Sequence, residues 1–286
     1  KKMKLSKVLL SSAVAAALVF GFAGCKADED DPNNMIAGSG KNYSIAYTNN
    51  DSKISRGYVP TSFAHAGAAV QIDFTDLTTD TAKSGVMGLI FDLDSDKDGK
   101  RSFDVIGVRA SDNKGGVEYY ISRFTGVTDI QDENFGAYKG GPATEIEYVP
   151  AFKSTKGLNS DGKTTVYAYA IQKKVTEDGK DSKGLAYKAN EFVYKVYLLT
   201  NKIAKLDSQG NLIDDNGQAV VLDDSDCLAT IATDYKSLTQ KKLSVYANVY
   251  PTAANKAENV KSSGCGTLTG KWTFRGDYKE VGIDEN

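Results

Sequence analysis

The residues of this chain best placed to do chemistry stand in one run, Asp92-Leu93-Asp94-Ser95-Asp96-Lys97-Asp98-Gly99. Carboxylates at every second position, followed by a glycine that permits a sharp turn, are what a loop needs to wrap oxygen ligands around calcium. With Asp94, Asp96 and Asp98 as positions one, three and five of such a loop, Gly99 falls at position six. Position twelve is then Val105, and the acid that should close the site, Asp104, arrives one residue early. Both flanks read as strands rather than helices. The alternative is an acidic, solvated turn joining two buried strands, partly neutralised by Lys97, Lys100 and Arg101.

Tyrosine is the second resource. There are sixteen, several as near neighbours on strand-like segments: Tyr119 with Tyr120, Tyr167 with Tyr169, Tyr194 with Tyr197, Tyr246 with Tyr250. A phenol offers a flat apolar face and a hydrogen-bonding tip, which suits sugar stacking and protein interfaces as well as ordinary sheet packing. Tyr120 is the candidate ligand contact, because Val117, Tyr119 and Ile121 make the opposite face of its strand apolar. Trp272, within Gly270-Lys271-Trp272-Thr273-Phe274, reads as core.

Enzyme signatures are missing. The single histidine, His65, has no His-Glu-x-x-His zinc motif around it and no Gly-x-Ser-x-Gly elbow to serve, so it reads as structural. Glu145-Ile146-Glu147 places two carboxylates on one strand face but lacks a third acid. Phosphate-binding glycine loops and Cys-x-x-Cys metal pairs are also absent. Thirty-five basic against 37 acidic residues give a net charge of −2, without the basic excess of a nucleic-acid binder. A non-enzymatic protein follows, with no cofactor unless the acidic run holds calcium.

The first 25 residues give an address. Lys1, Lys2, Lys4 and Lys7 precede an uncharged apolar run, Val8 to Gly24, shorter than the ~20 residues a spanning helix needs. The run ends in Phe22-Ala23-Gly24-Cys25. This segment resembles a bacterial lipoprotein lipobox. Phe22 departs from the usual leucine, and the looser pattern is similar to that of spirochaetal lipoproteins. The resemblance implies cleavage after Gly24, a diacylglyceryl group on Cys25 and membrane attachment through lipid alone. The alternative is an ordinary signal peptide followed by a chance cysteine. Lys26 after the anchor, rather than aspartate, points to the outer membrane under the sorting rule of enteric bacteria. Residues 25–41, acidic and then rich in Asn, Gly and Ser, read as a flexible tether. Export leaves Cys227 and Cys265 in an oxidising compartment, where they either form a disulfide or remain two buried thiols.

The elements that must position these residues are strands. Val70, Ile72 and Phe74 alternate with polar partners, and Phe192–Leu199 is apolar on much of both faces. Further strand-like runs are 86–93, 103–110, 117–124, 144–149, 165–175, 219–222, 228–233, 243–250 and 268–274, separated by clusters such as Asp215-Asn216-Gly217. Asp234–Leu243 is the best helix candidate, and it is short. An all-β, antiparallel, jelly-roll-like sandwich with few or no helices is expected, occupying residues 42–286 as one domain after a 1–24 signal peptide.

The strand series in Ala68–Phe135, with its Gly-x-Ile-Phe-Asp and Val-Ile-Gly-Val-Arg segments, resembles concanavalin A-like and laminin-G-like sandwiches, in which such strands form much of the concave sheet. Together with the lipobox-like segment, that resemblance implies a cell-envelope lipoprotein displaying a sandwich for a glycan or for a host or envelope protein. A purely structural envelope lipoprotein and a diverged glycan hydrolase are the alternatives.

Overall fold

The computed structural model describes residues 35–74, 85–95, 98–111, 116–128, 144–148, 164–239, 241–251 and 267–276. Two antiparallel sheets pack face to face. The seven-stranded sheet contains β1 (Ile36–Ser39), β2 (Asn42–Thr48), β4 (Gly67–Phe74), β9 (Thr164–Lys174), β12 (Phe192–Leu199), β15 (Ala229–Ala232) and β17 (Thr267–Phe274), in the order β1-β2-β17-β4-β9-β12-β15. The six-stranded sheet contains β3 (Ser55–Ala64), β5 (Gly85–Ser95), β6 (Arg101–Ser111), β7 (Gly116–Val127), β8 (Thr144–Glu147) and β16 (Lys242–Val249), in the order β3-β16-β5-β6-β7-β8. Two short hairpins, β10 (Gly179–Lys180) with β11 (Ala186–Tyr187) and β13 (Lys205–Leu206) with β14 (Leu212–Ile213), interrupt the run from β9 to β15. Among the described residues the only helical turn is the 3-10 turn Asp224–Asp226.

Period-two alternation places the core. Val70, Ile72 and Phe74 of β4 point between the sheets, as do Tyr194, Val196 and Leu198 of β12 and Ile106 and Val108 of β6. Each such side chain taken fully out of water contributes about 1.5–3 kcal/mol. The sheets interlock at the centre of this layer. Met87 of β5 packs onto Gly270 of β17, where a Cβ would stand 2.3 Å from the Met87 sulfur. Trp272, fully buried, donates its indole N–H to the Gly88 carbonyl at 3.1 Å. The outer face of the seven-stranded sheet is apolar too, which explains the two-faced pattern of β12. Tyr167, Tyr169, Ile171 and Tyr197 are buried there against Ala204, Leu206 and Leu212, so the β13–β14 hairpin lies over that face.

The edge strand β15 is closed by side chains. Ser182 donates its N–H to the Thr230 carbonyl and accepts the Thr230 N–H at its hydroxyl. Asp181 accepts the Ala232 N–H at 3.0 Å, and Arg123 donates to the Ala232 carbonyl. Unpaired edge groups invite pairing with another chain, and here they are occupied. Arg123 also grips the fully buried Asp104 through Nε at 2.8 Å and Nη2 at 3.1 Å. Burial pushes the Asp104 carboxyl up while Arg123 pulls it down; the nearby Asp104 keeps the guanidinium charged.

Three expectations are corrected. The sandwich begins before residue 42: Met35 and Ile36 are buried, and Ile36–Ser39, inside the expected tether, pairs with β2. Asp234–Leu243 forms no helix among its described residues, because its backbone groups serve neighbouring strands. Thr239 donates its N–H to Gln172 Oε1, Lys241 accepts from the His65 N–H, and Leu243 already belongs to β16. The 219–222 run contributes one bridge, Ala219 to Ile213, rather than a strand.

Candidate functional site

The outer face of the six-stranded sheet gathers the side chains with the most recognition chemistry. Pairing registers align Tyr58 (β3), Tyr246 (β16), Gly88 (β5), Gly107 (β6) and Tyr120 (β7) in one row across five strands. The neighbouring row carries Arg56, Asn248, Val86 and Arg109. Glycine is required at the centre of the first row. A Cβ on Gly107 would lie 2.2 Å from the Met87 carbonyl oxygen, and one on Gly88 would lie 2.7 Å from that of Ile106. Between Tyr246 and Tyr120 the row is therefore backbone alone; Tyr246, Gly88 and Gly107 are buried, beside buried Val86, Ile90, Phe103 and Val105.

Tyr120 sits at one end of the row, half-buried, and donates its hydroxyl to Glu145 Oε1 at 2.9 Å. The Arg109 guanidinium lies over its ring, 5.2 Å from the centroid, with Glu147 3.7 Å away from Nη1. At the other end, Arg101 reaches back across the face to the half-buried Tyr58, its Cζ 5.9 Å from that ring, although two strands separate β6 from β3. That reach requires a concave face. Burial, reinforced by Glu145, raises the Tyr120 phenol well above its usual range, so it remains a neutral donor. Burial likewise raises the Glu145 carboxyl, against the Tyr120 hydrogen bond and the charge of Arg109. Such a face can stack sugar rings on tyrosine and hydrogen-bond hydroxyls with Arg and Glu side chains.

No protein-family model and no curated protein matches this chain.

Of the residues singled out in the sequence, Tyr120 falls on this face, and its strand alternates as expected: Tyr119 and Ile121 pack toward the opposite, inter-sheet layer. Arg56, Tyr58, Arg101 and Arg109 were not foreseen as site residues. Only strand register brings them together, and β3 carries little alternation to announce it.

The acidic run divides. Residues up to Ser95 belong to β5, with Asp94 paired to Ser102 across a bulge, and Asp98 is exposed in the turn. Asp96 lies outside the described residues, and among those described no three His, Cys, Asp or Glu side chains converge on a point that could hold an ion. A recurring device bears on this run. Asp181, Asp207 and Asp214 each accept, at Oδ1, the N–H groups two and four residues on, across a glycine at φ 83, 81 and 80°. Asp96-Lys97-Asp98-Gly99-Lys100 has the same spacing, and Gly99 has φ 76°.

His65 is fully buried, tilted against Phe91 and 3.5 Å from the Tyr194 hydroxyl. Burial, helped by Lys241, lowers its pKa to about 3, so the ring is a neutral part of the core. Cys227 is half-buried, donates to the Ala229 carbonyl at 3.4 Å and forms no disulfide with a described residue. Cys25 and Cys265 lie outside the described residues.

Proposed function

We propose that this protein is a lipid-anchored, non-enzymatic component of a bacterial cell envelope whose sandwich binds a glycan on the outer face of its six-stranded sheet. The observation that carries the reading is the Tyr58–Tyr246–Gly88–Gly107–Tyr120 row, with a half-buried tyrosine at each end and the buried Tyr246 and two buried glycines between. Tyrosines spaced across a concave sheet offer stacking planes to successive sugar rings, and side-chain polar groups beside them fix orientation. The Val8–Gly24 run, the Ala23-Gly24-Cys25 sequence and the basic residues before them support lipid attachment at Cys25, in the outer membrane.

Two experiments test this. On a glycan array, the protein without residues 1–24 should bind at least one oligosaccharide class. Tyr58→Ala and Tyr120→Ala should each weaken that binding at least tenfold while retaining the far-UV spectrum of a β protein. Absence of any binding would leave a structural envelope role, and release of shorter sugars during incubation would point instead to hydrolysis. In cells, Cys25→Ser should abolish uptake of labelled fatty acid; unchanged labelling refutes the anchor.

A further inference from the structure

The chain enters the sandwich at one end of its strands. Ile36, the first residue of β1, stands opposite Ile45 of β2, and successive registers lead from Ile45 to Gly270, Phe74 and Thr164. Thr164 is the first residue of β9. At the other end of β1, Ser39 aligns through Asn42, Thr273 and Gln71 with Tyr167. β1 therefore runs from the Thr164 end of the sheet toward the Lys174 end, and the chain before it arrives from the Thr164 end. Met35 and Ile36 are buried, so the body holds the chain from Met35 onward.

Both sheets share these two ends. At the Thr164 end, Asn49, just past β2, donates to the Val249 carbonyl at 2.9 Å, and Val249 stands opposite Ser55 and Gly85. At the Lys174 end, Gln172 accepts the Thr239 N–H, and His65 donates its N–H to the Lys241 carbonyl. The β5–β6 turn at Asp98-Gly99 and the β10–β11 hairpin, inserted between Lys174 and Phe192, belong to that same end.

Length decides which end lies near an anchor. Cys25 and Met35 are ten residue steps apart, at most about 35 Å when fully extended. Thr164 and Lys174 are also ten steps apart, about 34 Å of strand. With the bilayer at the Thr164 end, the chain from the anchor leads directly into β1 and has slack. With the bilayer at the Lys174 end, it must reverse at Met35 and run back along the whole sheet at nearly full extension. A chain held so gives up its conformational freedom, which the direct route leaves to it.

We infer that lipid at Cys25 holds the sandwich upright, with its Thr164 end facing the lipid headgroups and its Lys174 end outermost, as the surface that a partner outside the membrane meets first. The inference rests on the lipid-anchor reading above and adds the orientation of the body.

The test uses the full-length lipidated protein, added to phosphatidylcholine vesicles that contain a rhodamine-labelled lipid as energy acceptor. A donor dye is attached to one introduced cysteine in a Cys227→Ala/Cys265→Ala background. Lys53→Cys marks an exposed position at the Thr164 end, and Ser237→Cys marks one at the Lys174 end. Transfer to the bilayer should be at least twofold more efficient from the first site than from the second. Asn50→Cys and Asp98→Cys, exposed at the same two ends, repeat the comparison where either first variant fails to fold. Inserting twenty Gly/Ser residues between Lys26 and Ala27 should bring the two sites toward equal transfer. A difference that survives the insertion assigns the orientation to direct contact with lipid and overturns the tether's role. Equal transfer, or stronger transfer from the Ser237 site, in protein that carries labelled fatty acid overturns the inference and leaves the anchor standing. Protein that takes up no fatty acid overturns both.

Discussion

Arg123, on β7 of the six-stranded sheet, donates from Nη2 to the carbonyl oxygen of Ala232, on the edge strand of the seven-stranded sheet, at 2.6 Å. One side chain thus joins the two sheets at their adjoining margins while holding Asp104 in a fully buried ion pair. Tyr148 completes the cluster: its ring faces the guanidinium at 6.0 Å, and its hydroxyl donates to Asp181 at 2.6 Å.

Removing one partner of a buried pair leaves an uncompensated charge, which costs about 3–5 kcal/mol, whereas replacing both with apolar groups is often close to neutral. Arg123→Met should therefore lower stability by about that amount in urea denaturation. The double variant Asp104→Leu/Arg123→Met should recover most of the loss. Equal losses in the two proteins would mean that the edge contact to Ala232, not the buried charge, dominates.

His65 gives the fold an acid-sensitive component. Its pKa is about 3 in the native protein, against about 6.5 for an exposed imidazole. The unfolded chain takes up a proton that the folded chain refuses. The associated stability is complete above pH 6.5 and is lost at about 1.4 kcal/mol per pH unit on acidification toward pH 3. By pH 5 the loss is roughly 2 kcal/mol. Denaturation curves of His65→Phe should be flatter than those of the parent between pH 7 and pH 5; parallel curves would show that His65 does not titrate differently in the two states.

Gly107 and Gly184 separate two reasons for glycine. At Gly107 an added methyl meets the Met87 carbonyl oxygen at 2.2 Å and the Gly88 Cα at 2.5 Å, so strand backbone must move. Overpacking of this kind costs about 1–3 kcal/mol, with the upper end expected against backbone. At Gly184 nothing lies within 4 Å and only the positive φ of 83° opposes a side chain. Gly107→Ala should lower the melting temperature by several degrees and disturb the Tyr row, while Gly184→Asn, which tolerates that φ, should be nearly silent.

The acidic turn can be settled by its metal response. If Asp96 caps its own turn as Asp207 and Asp214 do, millimolar calcium should shift the melting temperature no more than magnesium does. Asp96→Asn, which keeps an acceptor oxygen, should melt like the parent. A calcium-specific rise of several degrees, abolished by Asp96→Asn, would establish an ion site instead.

The long central strands were legible because alternation or continuous apolar runs mark them: β4, β5, β6, β9, β12, β16 and β17 lie close to where the residue pattern puts them. The first three strands, β1 to β3, escaped, as did the two-residue strands of the short hairpins. β1 is four residues with Gly38 at φ 129°, and β3 contains Gly57 and Pro60, a proline that an edge strand tolerates. Losing β3 meant losing Arg56 and Tyr58. Tyr120 could be picked out because its own strand names its two faces, but the partners across the sheet depend on register, which no single strand encodes. The failed helix at Asp234–Leu243 has a similar cause: Gln172 and His65, distant in the chain, take up its backbone groups.

The order of the strands also bears on how the chain reaches this state. β16 lies between β3 and β5, and β17 lies between β2 and β4, so the last two strands among the described residues are interior members of the two sheets. Until they are present, each sheet is divided into two unjoined parts, and Trp272 has not reached Gly88. Such late, long-range pairing gives slow closure, because the intervening loop must be ordered before the contacts form. A nascent chain of this topology cannot complete its sandwich early in synthesis. Neither sheet can be joined into one piece until residues 242–274 have been made.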